Sequence, residues 1–482
     1  MPDEIDYDKM GLKCGLEIHQ QLDTKKLFCN CPSILRKDEP DFVVERQLHA
    51  VAGESGEVDV AAKYQAGLGK RFFYQGYDTT CLVELDESPP RMINGDALKI
   101  AMQVATLLNC KILSLTQIMR KTVVDGSNTS GFQRTVLIAV EGYVETKYGR
   151  VGIESVCLEE DSARIIGKNE KGIVYRLDRL GIPLIEIATK PEIKNPEQAK
   201  EVALHLGNVL RSCKVKRGIG TIRQDVNVSI KKGARVEIKG VQEPNLIEKS
   251  VEKEAERQFE LISKKTEVKS EVRKVLLNGE TEFLRPMPGA ARMYPETDLP
   301  LLKISRELIN EIKKNLPKLK AEVEEELKGK GLEEEMIKLL FKRKKIEEFK
   351  EFLNLLNNPK LIAKMLLVFP NEIASKEKIS IDEVEKILSD DTLVAILKFV
   401  KDGKIQDNQV RHVMERIVQG ESLDNAVEFD KREIHDVEEK VHKIIKEKPG
   451  LSENAYMGLV MKEFKGKING SEAMEIIKKY VR

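Results

Sequence analysis

Apolar and polar residues alternate with period two through much of the first 300 residues. In "KCGLEIHQQL" (13–22), Leu16, Ile18 and Leu22 share one face of an extended segment, and Glu17, His19 and Gln21 share the other. The runs "RTVLIAVEGYVE", "GIESVCL", "PLIEIAT", "TIRQDVNVSI" and "ARVEIKGV" read as further strands. Two stretches switch to helical spacing. One runs from about Gly95 to Leu108, with Ala97, Ile100, Ala101, Val104, Leu107 and Leu108 on one face. The other starts at Asn195 as N-cap with Pro196 in the first turn and Gln198 placed to close a capping box. Its stripe is Ala199, Val202, Ala203, Leu206, Val209 and Leu210. Many strands with few helices predict an α+β fold on a largely antiparallel sheet.

The pattern changes at "LRPMPGAARMYPETDLPLL". Pro286, Pro288, Pro295 and Pro300 rule out a continuous helix there and predict an extended connector. From Ser305 onward the chain reads as amphipathic helices, as in "EEMIKLLFKRKKIEEF", and the last 50 residues form a smaller helical group.

A chain of 482 residues exceeds what one core organises and predicts two to four domains. Its 81 basic and 80 acidic residues give a net charge of +1, so any nucleic-acid contact must come from local patches. No apolar run approaches the roughly 20 residues of a membrane span, and the acidic start "MPDEIDYDKM" lacks a signal-peptide pattern. Seven scattered cysteines read as reduced thiols, and the expectation is a cytoplasmic protein without a membrane partner.

Several strands carry carboxylates where an apolar residue would be cheaper. Glu186 sits between Ile185 and Ile187, Asp225 shares a strand face with Asn227 and Ser229, and Glu159, Glu160 and Asp161 end another strand. A desolvated carboxylate needs a partner charge. If these strands share a face with Glu17 and His19, the repulsion calls for a cation, and oxygen-rich ligation suits Mg²⁺ with substrate phosphates. The segment "RKTVVDGSNTSGFQRT" (120–135) reads as a loop. Its small residues would let backbone amides approach phosphates, and Arg120 and Lys121 would add charge. Cys29 and Cys31 have zinc-like spacing, but no second close pair follows and Cys81 is distant in sequence, so zinc is not expected.

"GLEIHQQLDTKKLFCNCPS", "RKTVVDGSNTSGFQRT", "LEEDSARI", "RLGIPLIEIATKPEI", "IRQDVNVSI" and "MPGAARMYPETDLP" together resemble the GatB/GatE family, and within it the E-type subunits of archaeal glutamyl-tRNA(Gln) amidotransferases. The resemblance runs from about Tyr7 to Arg482. It implies a cradle-like catalytic domain (1–300), a helical domain (301–375) and a tail domain (376–482) of the type that grips tRNA. It implies a reaction in which ATP phosphorylates the γ-carboxylate of glutamate misacylated onto tRNA(Gln) and ammonia displaces the phosphate. By motif it implies Glu17, His19, Glu160, Glu186 and Asp225 as metal positions, with Glu160, Glu186, Asp225 and Lys121 catalytic. Arg120, Lys121 and Gln133 fall in its nucleotide region. The chain holds no glutaminase-like nucleophile apparatus, so the resemblance further implies an asparaginase-like D subunit supplying ammonia, in a heterotetramer of two D and two E subunits acting on Glu-tRNA(Gln).

Two departures stand out. E-type subunits usually carry a synthetase-like insertion just before the "LRP-PGAARMYPETD" segment, and only about twenty residues (263–282) occupy that place here. "CNC" also lacks the following CxxC of zinc-bearing B-type relatives. In the tail, Lys462, Lys465 and Lys467 form a basic cluster suited to RNA phosphates. The alternatives are a B-type subunit that also accepts Asp-tRNA, and a non-catalytic tRNA-binding scaffold.

Overall fold

The computed structural model describes residues 6–48, 56, 58, 63, 67, 69–169, 172–287, 293–427, 431–463 and 470–481. The chain divides into two compact units, Met1–Leu319 and Lys320–Arg482.

The first unit is α+β. Its strands are β1 (Lys13–Gln21), β2 (Phe42–Arg46), β3 (Phe72–Gly76), β4 (Lys111–Ile112), β5 (Leu115–Thr116), β6 (Ile118–Thr122), β7 (Phe132–Thr146), β8 (Gly149–Glu160) and β9 (Arg164–Asn169). There follow β10 (Gly172–Arg176), β11 (Pro183–Thr189), β12 (Ile222–Ser229), β13 (Val236–Lys239), β14 (Glu271–Val275), β15 (Thr281–Pro286), β16 (Met293–Pro295) and β17 (Leu302–Lys303). The main sheet runs β15-β14-β13-β12-β1-β11-β8-β7-β6-β16, with β4 also on β7. Its pairs are antiparallel except β13 with β14.

Alternation along these strands makes two different faces. Leu16, Ile18, Val156, Leu158, Ile185, Ile187, Val226 and Val228 all point into one core. The Gly95–Leu107, Pro196–Ser212 and Pro244–Ser263 helices cover that face with Ile100, Val104, Val202, Leu206, Ile247 and Val251. Each such fully buried aliphatic side chain contributes about 1.5–3 kcal/mol. Asn195 caps its helix as the sequence predicts, accepting from the Gln198 N–H at 2.7 Å. The reciprocal bond differs, because Gln198 accepts from the Lys194 N–H rather than from that of Asn195.

The proline-rich segment is extended at Pro286 and Pro295, with Pro288 outside the described residues, and it is more than a connector. β15 pairs β14 at one edge of the sheet and β16 pairs β6 at the other. Pro286 and Met293 are seven residues apart, a reach of at most about 25 Å, whereas ten strands laid flat would separate the edges by about 43 Å. The sheet must therefore curl, and its helix-free face becomes a trough.

A side sheet, β2-β3-β10-β9, packs Phe72, Tyr74, Ile173 and Tyr175 in a small core of its own. The Arg306–Lys314 helix places Ile312 in the main core, so the first unit continues past residue 300 to Leu319. The short 263–282 stretch ends one helix and forms the β14–β15 hairpin. The second unit is helical, with one core between Val323 and Ala426 and another between Val441 and Ile477. Among the described residues no helix is long and apolar enough to cross a membrane.

Candidate active site

The trough holds a cleft of about 710 Å³ lined by Glu17, His19, Lys121, Gln133, Glu159, Glu186, Arg223, Asp225, Arg235, Glu237, Lys239 and Arg285, among others. Register explains the convergence. His19 stands opposite Glu186 on β11 and Arg223 on β12, and Glu17 stands opposite Asp225. Leu184, two residues from Glu186, pairs Glu159 on β8, and Lys121 pairs Gln133 across the β6–β7 hairpin. Residues in register, or two apart, share a face, so side chains from β1, β6, β7, β8, β11 and β12 meet on one surface.

Two groups could hold a cation: Glu17, His19 and Asp225, and His19, Glu159 and Glu186, each with ligand atoms within 4.8 Å of one another. His19 Nε2 lies 3.1 Å from Glu186, 3.4 Å from Glu17 and 3.9 Å from Glu159. Lys121 donates to Glu159 and lies 3.5 Å from Glu186. Lys239 bridges Asp225 at 2.7 Å and Glu237 at 2.6 Å. Gln133 donates to Glu159 at 3.1 Å.

The electrostatics follow this crowding. Burial, with the neighbouring Glu186 charge, pushes the Glu17 carboxyl up to about 7. Burial acts the same way on Glu186, but the Lys121 charge and the His19 hydrogen bond outweigh it and hold that carboxyl well below the usual range. Burial would lower His19, yet its bond to Glu186 and the surrounding carboxylates raise it. Four carboxylates, Glu17, Glu159, Glu186 and Asp225, thus share two lysines and one imidazole, and Glu237 competes for Lys239. A donor set of carboxylate oxygens with one imidazole suits a hard divalent cation, and with Arg223, Arg235 and Arg285 the cleft carries five basic side chains against its five carboxylates.

Glu17, His19, Glu186, Asp225, Lys121 and Gln133 are brought together as the sequence predicts. Glu160 and Arg120 are not. Glu160 has the strand parity of core residue Leu158 and points away from the cleft. It is buried against Arg134, accepting from the Arg134 backbone N–H at 3.2 Å and from its guanidinium at 3.3 Å. Its neighbour Glu159 takes the cleft position. Arg120 likewise alternates with Lys121 and turns to the far face, where it donates to Glu296 and lies 3.2 Å from Asp298. The reading of 120–135 as one loop is also corrected, since Arg120–Thr122 and Phe132–Thr135 are strand. The turn between them is tied to the side sheet, with Tyr74 Oη donating to the Gly126 carbonyl at 2.8 Å and Tyr175 Oη to the Asp125 carbonyl at 2.9 Å. Its small residues therefore serve that junction rather than the cleft.

Lys239, Arg235, Arg223, Glu237 and Arg285 line the cleft without being singled out by the sequence analysis. For the first two a signal existed, because "ARVEIKGV" alternates Arg235, Glu237 and Lys239 against Val236 and Ile238. In the tail, Lys462 is exposed beside Glu463 and lines a groove with Ile444, Glu447, Lys448 and Leu459. Lys465 and Lys467 lie outside the described residues.

A second cluster overturns a premise. Cys81 and Glu84 meet Cys29 and Cys31, all four within 4.8 Å, so Cys81 is not distant in space. Cys29 Sγ is 2.8 Å from Glu84, and the fully buried Lys26 lies 3.3 Å from the same carboxylate. Three thiols and a carboxylate form a donor set for a thiophilic ion, although Lys26 already balances the Glu84 charge.

Residues 12–310 match the family described as the GatB/GatE catalytic domain, and residues 347–481 match the GatB domain family. Over 99% of its length the chain is 36% identical to the whole E subunit of the glutamyl-tRNA(Gln) amidotransferase of Methanocaldococcus jannaschii. It is 35% identical to that of Archaeoglobus fulgidus over 99% of both chains. Against the corresponding E subunit of Methanococcus maripaludis it is 50% identical over 62% of this chain and 47% of the relative. The first of these alignments covers 632 positions against 482 residues here, so at least the difference of 150 positions faces gaps in this chain.

Proposed function

The chain belongs to the GatB/GatE family, and on that premise we propose that it converts Glu-tRNA(Gln) to Gln-tRNA(Gln) by ATP-dependent amidation. The observation that carries this reading is the convergence of Glu17, His19, Glu159, Glu186 and Asp225 with Lys121 in one cleft.

A carboxylate resists ammonia because its oxygen is a poor leaving group. In the proposed sequence the γ-carboxylate oxygen attacks the terminal phosphorus of ATP and ADP leaves. Ammonia then attacks the acyl carbon and orthophosphate departs, giving the amide. Glu17, His19 and Asp225, and His19, Glu159 and Glu186, are the groups that would hold Mg²⁺. When bound, the ion would offset phosphate charge as phosphoryl transfer requires. Lys121, already on Glu159 and Glu186, adds a fixed positive charge where the transferring group accumulates negative charge. Lys239 keeps Asp225 oriented, and Gln133 orients Glu159. Glu160 and Arg120 have no part in this assignment.

Amidation in this cleft needs a supply of ammonia. The source we propose is an asparaginase-like D subunit, in a heterotetramer of two D and two E chains. Of the three expected parts (1–300, 301–375 and 376–482), the boundaries we propose follow the cores: a catalytic part to Leu319, a helical part around the Val323–Ala426 core, and a tail around the Val441–Ile477 core as the tRNA-gripping part. Without the usual insertion, more of the tRNA recognition falls on that tail.

The test uses the purified chain with glutamyl-tRNA(Gln), ATP, Mg²⁺ and ammonium chloride, so that the ammonia source is bypassed. Wild type should release orthophosphate and form Gln-tRNA in equal amounts, and Glu186→Gln should do neither. Tight tRNA binding without turnover, unrelieved by the D subunit, would leave a scaffold instead.

A further inference from the structure

Just beyond the end of β8 the Asp161 N–H donates to the Ile182 carbonyl at 2.8 Å, and the Asp161 side chain reaches past the start of β11 to β1 and β12. The carboxylate is buried and fully engaged. It accepts from Gln21 Nε2 at 2.6 Å, from the Ser162 N–H at 2.9 Å and from the Arg223 guanidinium at 2.7 Å, with Arg179 at 3.8 Å. A charge satisfied on every side in this way is a rigid anchor.

What it anchors lines the cleft. Lys121 and Lys239 are paired with carboxylates of the cleft itself. Arg223 is held differently, by Asp161 behind the lining and through Nη2, while its side chain stays partly exposed. In the β1–β12 register Arg223 stands opposite His19, and side chains so paired have Cβ atoms about 4.5–5.5 Å apart. His19 belongs to both groups that could hold a cation. Beside it on the same face lies Leu184, opposite Gln21 on one side and Glu159 on the other, a buried apolar residue that still forms part of the lining.

We propose that Arg223, positioned by Asp161, binds the γ-carboxylate of the glutamyl group, with Leu184 against its methylenes. The inference rests on the aminoacyl-tRNA reading above. A planar guanidinium matches a carboxylate, and an apolar floor suits the glutamyl methylenes, which a triphosphate lacks. Arg223 holds the oxygen that does not attack phosphorus, and that oxygen becomes the carbonyl of the acyl phosphate. As the nitrogen lone pair of ammonia forms the C–N bond, the carbonyl π pair moves onto this oxygen, beside the guanidinium. The pair returns as the C–O bond to phosphate breaks, and orthophosphate leaves with the bonding electrons and one ammonia proton. A fixed donor at the atom where charge develops lowers the barrier. Arg223 is thus a catalytic residue and Asp161 a positioning residue.

The experiment uses the full chain in the ammonium chloride assay. Arg223→Ala should lower kcat/KM for glutamyl-tRNA(Gln) at least about 100-fold, with ATP affinity, measured by equilibrium dialysis, unchanged. Wild type should bind glutamyl-tRNA(Gln) more tightly than the same tRNA deacylated, and Arg223→Ala should bind the two alike. Added methylguanidinium should raise the activity of Arg223→Ala about tenfold, short of full recovery because a free cation is not pre-positioned. Adding Asp161→Asn should abolish that recovery, whereas a merely structural Asp161 would leave the recovery ratio intact and end its positioning role. If wild type forms Gln-tRNA and Arg223→Ala matches it, or loses ATP affinity instead of the preference for charged tRNA, this inference falls and the reading of the reaction stands. If wild type forms no Gln-tRNA, with or without the D subunit, both fall.

Discussion

Glu159 and Glu160 are adjacent in sequence and opposite in role, and exchanging either for glutamine separates the two. Glu160 is buried and paired with Arg134, and removing one partner of a buried pair costs about 3–5 kcal/mol. Because Arg134 keeps Glu296 at 2.7 Å, the lower figure applies to Glu160→Gln. Unfolding entropy of about 2.1 cal/mol/K per residue over the 319 residues of the first unit gives roughly 0.7 kcal/mol/K. A loss of about 3 kcal/mol therefore lowers Tm by about 4 °C. Glu159→Gln also breaks a buried pair, with Lys121, but it relieves repulsion among the crowded carboxylates and leaves Lys121 beside Glu186 at 3.5 Å, so its Tm should fall by less than that of Glu160→Gln. Its orthophosphate release should fall at least about 100-fold, the scale of losing one charge-stabilising group. Differential scanning fluorimetry and ATP-dependent phosphate release, both at pH 8, read the two effects on the same samples. An inactive Glu160→Gln with wild-type Tm, together with an active Glu159→Gln, would refute the strand-parity reasoning.

The same geometry makes three further predictions. Lys121→Met should lower kcat about 100-fold with KM for tRNA unchanged, whereas a change confined to KM would make Lys121 a binding residue. Cys31, beside the Cys29 thiol, has its pKa lowered to about 7 by that hydrogen bond. Its iodoacetamide reactivity should rise through pH 7 in the folded protein and through about pH 9, the usual thiol range, in urea. The sign is that of a depressed acid, since the folded state favours the thiolate; a shared midpoint near 9 would contradict it. Deleting residues 431–482 should raise KM for aminoacyl-tRNA and leave ATP binding intact, and an unchanged KM would count against a tRNA-gripping tail.

The cleft was legible where one polar residue interrupts an apolar alternation. Leu16 and Ile18 fix the phase of β1, so Glu17 and His19 must face the other way, and the same holds for Glu186 and Asp225. The phase of Leu158 was equally available and selects Glu159, but two consecutive glutamates at a strand end obscured it, as did the consecutive Arg120 and Lys121. The zinc-like cluster was illegible for another reason. Cys81 reaches Cys29 across about fifty residues of intervening chain, and no local period reports such a contact. Nor could local pattern show that the proline-rich segment supplies both edge strands, because edge pairing is a long-range property of the curled sheet.

The central claim is that this chain moves a phosphoryl group onto the glutamyl γ-carboxylate. The most direct measurement gives the enzyme glutamyl-tRNA(Gln) with ¹⁸O in both γ-carboxylate oxygens, unlabelled ATP and ammonium chloride, and examines the released orthophosphate by mass spectrometry. The account predicts one ¹⁸O in each orthophosphate and one retained in the glutamine amide. Orthophosphate without ¹⁸O, or release of pyrophosphate instead, would contradict it.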